Sequence, residues 1–282
     1  MRHKRSQKEE QNIPKNIPHG TEVLSVQNVS KKFGYVEALR GVSLSLRAGE
    51  VHALVGGNGA GKSTLVNIIC GTFKPNNGEL YIYGEKRNLT SPREARNLGI
   101  GTVHQNLAIV ENMDVTANLF LGRELLKPPP LKWLTIMSKA KMRRIAIEEL
   151  QRLRITIPSV DEEVRRLSGG QRQGVVCARA LMGDTPIMLM DEPTAALGVK
   201  EGGEVIDVVN RCKEEGAAIL LISHNMKEVF AMAQRVTVLR LGEVVAEGRE
   251  ISSLTEEAVV GLITGAIESA DDYDRQMQSR GA

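Results

Sequence analysis

Three groups of residues in this chain have the types and spacing for phosphate chemistry. The first is Gly56-Gly57-Asn58-Gly59-Ala60-Gly61-Lys62-Ser63, followed by Thr64, which fits the phosphate-loop spacing G-x-x-x-x-G-K-[ST]. Glycines let the backbone turn with positive φ and bring N–H groups against phosphate oxygens with no Cβ in the way. A helix opening at Lys62 adds the positive end of its dipole. Lys62 supplies a point charge for the β- and γ-phosphates, and the Ser63 hydroxyl is a ligand for Mg²⁺. The bland alternative is a glycine-rich loop with a chance lysine, and the strand before it and helix after it argue against that.

The second group is Asp191 and Glu192, at the tip of the apolar run Ile187-Met188-Leu189-Met190. Asp191 suits a Mg²⁺ held through water, and Glu192, one step further out, suits a general base that polarises an attacking water. Alone, the pair could equally be a strand terminator before Pro193. The third group is Leu167-Ser168-Gly169-Gly170-Gln171. A serine hydroxyl, two glycine amides and a new helix N-terminus make a second anion cradle, although short strings of this kind also serve as plain helix caps. His224 ends another apolar run, Ile219 to Ser223, whose tip falls at the same sheet edge. His3, His19, His52 and His104 read as ordinary surface or core residues.

Those groups need a scaffold that brings strand tips together. The 282 residues are ample for a core, and 41% hydrophobic with 25% charged residues is ordinary for a globular protein. A net charge of +3 is too small to argue for nucleic acid or an acidic membrane surface, and an aromatic content of only 3% argues against a base-stacking surface. No apolar run approaches the roughly 18 residues that span a bilayer. Arg2, His3, Lys4 and Arg5 precede no apolar stretch, so no secretory signal is expected. Cys70, Cys177 and Cys212 are isolated, which suits small core residues in a reducing compartment.

Residues 1–20 are polar with Pro14 and Pro18 and read as a flexible tail. Alternation over Leu24 and Val26, over Val42, Leu44 and Leu46, and over Leu80 and Ile82 predicts half-buried strands. Val51 to Val55 predicts a buried strand running into the glycine loop, and a helix follows from Lys62 to a stop at Gly71. Residues 108–182 read as a mostly helical insertion. Buried strands return at Ile187–Met190 and Ile219–Ile222, with a helix near Gly202–Glu214 between them. Val236–Leu239 and Val244–Ala246 flank a hairpin turn. Residues 266–282 read as a frayed polar tail. The expectation is an α/β fold: a phosphate-loop core with a parallel sheet, an antiparallel β layer and an inserted helical subdomain.

Together the motifs make the chain resemble the ATP-binding cassette (ABC) family over residues 21–265. The resemblance implies an ATPase with ATP and Mg²⁺ at the site. Gln105, after Gly101-Thr102-Val103-His104, matches the family's glutamine loop, so its amide would ligate Mg²⁺ and sense the γ-phosphate. His224 matches the switch histidine. Ser168, Gly169, Gly170 and Gln171 match the signature that closes on the γ-phosphate held by a partner subunit. Phe33 stands where the family stacks an aromatic on adenine, with Tyr35 as a nearby substitute; a core role for Phe33 is nearly as good a reading.

Within the family, Glu111 to Glu124, Thr194 to Glu201 and Ser223-His224-Asn225-Met226 resemble monosaccharide importers of the ribose, xylose and fructose type. Most of those carry two fused cassettes, so the single cassette here implies a homodimer. Gly198 replaces the aspartate usual in the family. The resemblance further implies a separate polytopic permease docked on residues 105–124, an extracytoplasmic sugar-binding protein, no nucleic acid, and a peripheral place on the cytoplasmic face of the inner membrane. Two alternatives remain open: a non-transport cassette acting on ribosomes or nucleic acid, and a catalytically silent nucleotide-gated binding module.

Overall fold

Strands apolar on both faces need cover on both faces, and the computed structural model shows how this chain supplies it. It describes residues 13–14, 16–103, 109–127, 136–182, 185–195 and 197–280. The chain runs through β1 (Glu22–Phe33), β2 (Val36–Arg47) and β3 (Val51–Gly56) into α1 (Lys62–Ile69). Next come β4 (Asn77–Ile82), β5 (Glu85–Arg87), α2 (Pro92–Asn97) and β6 (Ile100–Val103). The middle holds α3 (Val115–Leu119), β7 (Leu126–Lys127), β8 (Ile136–Met137), α4 (Lys139–Arg152) and α5 (Gly169–Leu181). Then follow β9 (Ile187–Asp191), α6 (Val199–Glu214), β10 (Ala218–Ile222) and α7 (Met226–Met232). The last elements are β11 (Arg235–Arg240), β12 (Glu243–Glu250), α8 (Glu256–Thr264) and α9 (Ala270–Arg280).

The central sheet has the order β12-β11-β3-β10-β9-β6, and every pairing in it is parallel except β11 with β12. A second sheet, β2-β1-β4-β5, is antiparallel. Side chains alternate across a strand, so each central strand feeds two cores. Val51, Ala53, Val55, Met188, Met190, Ile219 and Leu221 face the core shared with α5, α6 and the helical region. Leu54, Ile187, Leu189, Leu220 and Ile222 face the other core, with β1, β2 and α1. That two-sided burial is why Ile187–Met190 and Ala218–Ile222 are unbroken in apolar character, and β3 is broken only by His52, while β2 alternates.

The helical insertion contains α3, α4 and α5 together with the small β7–β8 hairpin. Asp114 caps α3 by accepting from the Ala117 amide at 2.7 Å. In the expected turn between β11 and β12, Leu241 and Gly242 both have positive φ, 51° and 85°, the geometry of a two-residue hairpin. All three cysteines are buried thiols, and burial pushes the Cys212 thiol up to about 12.

Two expectations about the ends need correction. Residues 266–282 were expected to fray, yet α9 packs there. Ala270 and Tyr273 are buried, Ser269 accepts from the Asp272 amide at 3.3 Å, and Arg249 pairs with Asp274 at 2.7 Å. Few apolar residues suffice because an ion pair and a cap hold the rest. Of the expected tail, residues 1–20, residues 1–12 and 15 lie outside the described residues; near its end Ile17 packs against the second core and Gly20 donates to the Ala48 carbonyl at 2.8 Å.

A buried polar cluster joins the two sheets. Arg235 pairs with Glu50 at 3.2 Å and donates to the Gly248 carbonyl and the Ser45 hydroxyl. His52, fully buried, bonds the Ser45 carbonyl and the Thr237 hydroxyl, both at 2.8 Å. Arg235→Ala would leave the buried Glu50 carboxylate without its guanidinium partner. The expected loss is about 3–5 kcal/mol of unfolding free energy, read from chemical denaturation. A loss below about 1 kcal/mol, the range of an exposed pair, would show the cluster to be dispensable.

Candidate nucleotide site

Parallel register puts the tips of three strands in one row. Ile222 of β10 is paired with Leu54 of β3 on one side and Asp191 of β9 on the other. The segments that continue from these residues leave the same edge of the sheet, the edge at which open α/β sheets bind ligands. Residues far apart in the chain therefore meet there.

β3 turns into α1 through the glycine loop. Gly61 has φ 107°, and a Cβ there would lie 2.5 Å from the Ala38 carbonyl oxygen. At Gly56 a Cβ would lie 2.2 Å from the Leu239 carbonyl oxygen. Only glycine fits at either end of the loop, which leaves a cradle lined by backbone rather than side chains. The Lys62 ammonium folds over that cradle, donating to the carbonyls of Gly56 at 2.7 Å and Gly57 at 3.0 Å. Burial draws its pKa below the ordinary lysine range, and the nearby carboxylates of Glu192 and Asp191 oppose that shift. The phosphate loop and the paired carboxylates are thus one electrostatic unit.

Glu192 sits in the left-handed region, φ 50°, uncommon for a side chain of its type. Its amide donates to the Ile222 carbonyl at 2.8 Å, which ties the turn after β9 to β10. Its carboxylate Oε1 lies 2.8 Å from His224 Nδ1. His224 is exposed and Glu192 half-buried, so the pair sits at the mouth of the edge. Gln105 falls outside the described residues; β6, which leads toward it, pairs with β9 up to Val103 and Met190.

The oxygen donors suit Mg²⁺. The metal characteristically takes one or two protein oxygens and completes its shell with water and phosphate, and the Ser63 hydroxyl and Asp191 carboxylate are of that kind. Among the described residues no cluster of three or more His, Cys, Asp or Glu residues could hold a metal by itself.

Ser168, Gly169, Gly170 and Gln171 open α5 as expected. The Ser168 hydroxyl accepts from the Gln171 amide at 3.2 Å and the Gln171 side chain accepts from the Ser168 amide at 3.1 Å, a reciprocal capping box. No hydrogen bond among the described residues joins this group to loop 56–63. It leans instead on the start of α6, where Glu201 accepts from the Gly169 amide at 3.0 Å and from the Gly198 amide at 3.3 Å. Sequence reading passed over Glu201, although a glutamate three positions after Gly198 carries the capping-box spacing. Phe33, at the end of β1, is 43% exposed and meets Phe73 edge-on, ring centroids 5.3 Å apart. Lys31 Nζ stands 5.1 Å from the Phe33 ring. Tyr35, beside it, is fully exposed.

The profile of the ABC transporter family matches residues 39–195, more than half of the chain. The chain belongs to the ABC transporter family. Among curated relatives of this ABC protein, the xylose/arabinose import ATP-binding protein of Sulfolobus acidocaldarius is 40% identical over 237 residues, 84% of this chain and 92% of that one. The fructose import ATP-binding protein of Rhizobium meliloti is 42% identical over 222 residues, 78% of this chain and 85% of that one. The ribose import ATP-binding protein of Bacillus subtilis is 38% identical over 258 residues, and the chain spans 51% of its length. A nucleotide-free ATP-binding cassette from an ABC transporter superposes with TM-score 0.71 at 30% identity, covering 86% of this chain and 96% of that one. A dimeric ATP-binding cassette in a post-hydrolysis state, bound to ADP and Pi, superposes with TM-score 0.62 at 31% identity, over 78% of this chain and 96% of that one. The architecture described above is accordingly the ABC ATPase fold.

Replacing Lys62 with Ala removes the cation from the cradle of this ABC protein. ATP binding should weaken about 100-fold or more, equivalent to about 2.7 kcal/mol, measured by equilibrium titration. Undiminished affinity would contradict the assignment of the cradle.

Proposed function

We propose that this chain is the ATP-binding subunit of an ABC importer, hydrolysing ATP in a sandwich dimer to drive uptake of a monosaccharide through a separate membrane permease. The observation that carries the reading is the 2.8 Å contact between Glu192 and His224 on the edge that also holds Lys62. An acid–base pair beside a phosphate cradle is what hydrolysis of a phosphoanhydride needs. Relatives named as import ATP-binding proteins for xylose or arabinose, fructose and ribose supply the transport and sugar parts of the reading.

The backbone amides of Gly57, Asn58, Gly59, Ala60, Gly61, Lys62, Ser63 and Thr64 hold the phosphates, and Lys62 turns its ammonium from the loop carbonyls to the phosphate oxygens. Ser63, Asp191 and Gln105 hold Mg²⁺, which neutralises phosphate charge when bound. Glu192 takes the proton of the attacking water. His224, kept in place by Glu192, contacts the γ-phosphate. Phe33 offers its exposed ring to adenine. Ser168, Gly169, Gly170 and Gln171 of one protomer complete the phosphate site of the other, so that ATP favours a closed dimer and hydrolysis releases it.

Residues 105–124 dock the permease. In the described part of that segment, Val110 and Leu121 are exposed. Buried Asn118 ties the backbone together through the carbonyls of Val110, Met113 and Asp114. Among the described residues no helix is long and apolar enough to cross a membrane; the permease would hold the chain at the cytoplasmic face of the inner membrane, with an extracytoplasmic sugar-binding protein delivering substrate.

Glu192→Gln should lower ATP turnover by about 10²–10⁴-fold, the range of a lost general base, while leaving ATP affinity intact. The variant should accumulate as an ATP-bound dimer, seen by light scattering after size exclusion. Retained turnover would assign the base elsewhere, and a strictly monomeric ATP-bound variant, with and without the permease, would overturn the sandwich.

A further inference from the structure

Glu228 lies on α7, one helical turn past His224, and the chemistry above does not use it. Its carboxylate nevertheless accepts from three side chains, all of which flank the Glu192–His224 pair. Oε2 accepts from the hydroxyl of Thr194 and, at 3.3 Å, from the hydroxyl of Ser223. Oε1 accepts from Asn225 Nδ2 at 2.8 Å. Thr194 is two residues beyond Glu192, and Ser223 and Asn225 bracket His224. Thr194 and Ser223 are buried, where a hydroxyl left without a partner is penalised. The Ser223 hydroxyl in turn accepts from the Asn225 amide at 3.1 Å.

An ionised carboxylate is acceptor-only, with about four lone-pair sites on two oxygens. It can therefore gather donors from two separate loops, which an amide or a hydroxyl in its place could not match. Among the backbone hydrogen bonds of the described residues, the turn after β9 is otherwise tied near the pair to the end of β10 by the bond from Glu192 N to Ile222 O. That bond fixes the Glu192 backbone and leaves the loop carrying His224 to be placed by something else.

We propose that Glu228 is a positioning residue for hydrolysis: it clamps the turn after β9 to the loop after β10 and so sets the contact between Glu192 and His224. The proposal rests on the reading of Glu192 as the general base. A role confined to the start of α7 would require only the contact with Asn225; the two hydroxyls that reach Glu228 from Thr194 and Ser223 belong to the clamp.

The test has a structural arm and a kinetic arm, both on the full chain. In nucleotide-free protein, Glu228→Ala should speed amide hydrogen exchange in residues 192–197 and 223–228, with exchange in β9 and β10 unchanged. Unaltered exchange in those two loops would overturn the clamp. With the permease present, Glu228→Ala should lower kcat about 10–100-fold, as loss of an outer support does, with the ATP Kd unchanged within about twofold. Combined with His224→Ala it should add little, since the two act as one unit; independent, multiplicative losses or an unchanged kcat would overturn the proposal. If Glu228→Ala does not fold, Thr194→Val and Ser223→Ala each remove one donor and should loosen the loop that carries it. A wild-type chain without ATP turnover would overturn the proposed function, while the exchange result would still decide the clamp.

Discussion

The hydrogen-bonded row Leu54–Ile222–Asp191 is the constraint on which the site depends. β10 is bonded on both sides, so its register fixes the other two strands. A one-residue slip of β10 would exchange every side chain between the two cores, placing Leu220 and Ile222 where Ile219 and Leu221 now pack. Hydrophobic burial on both faces thus sets the height at which three loops leave the sheet. Glycine loop, paired carboxylates and histidine converge because apolar residues beneath them cannot sit anywhere else.

Above that row, the chemistry is a matter of opposed charges at close range. Lys62 is desolvated, which disfavours its charge, while Asp191 and Glu192 favour it. Two carbonyl oxygens of the loop hold its ammonium there. A phosphate bound there would exchange neutral acceptors for charged ones, and charge-assisted bonds are the stronger kind. The second cradle follows the same logic. The Gly169 amide, at the N-terminus of α5, bonds the Glu201 carboxylate, so it is already matched to a negative oxygen. Gly198 has no side chain to offer where the family usually has an aspartate, and Glu201 bonds its amide from the next turn.

Local signals were legible where a residue's role depends on its neighbours in the chain. The glycine loop, the Ser168–Gln171 cap and the strand ending at Asp191 each lie within one turn or one strand, and their spacing could be read directly. Glu201 could also have been read, from its position after Gly198. Glu228 could not, because its partners Thr194 and Ser223 lie on other elements and a glutamate on a helix is ordinary. The same limit applied to the ends of the chain. Residues 270–280 look like a polar tail, and only the ion pair with Arg249 and the burial of Ala270 and Tyr273 make them a docked helix.

By itself the sequence determined the chemical types brought to the site, a glycine-lined loop, one cation and paired carboxylates, and the periodicities that make a two-sided parallel sheet. Those are local properties, set by spacing along the chain and by side-chain chemistry. Tertiary structure alone decided that Glu192 touches His224, that Lys62 answers to carboxylates well over a hundred residues away, and that Arg235 is buried against Glu50. Each of these is a contact across elements, and its existence depends on strand order and register, which no short stretch of residues specifies.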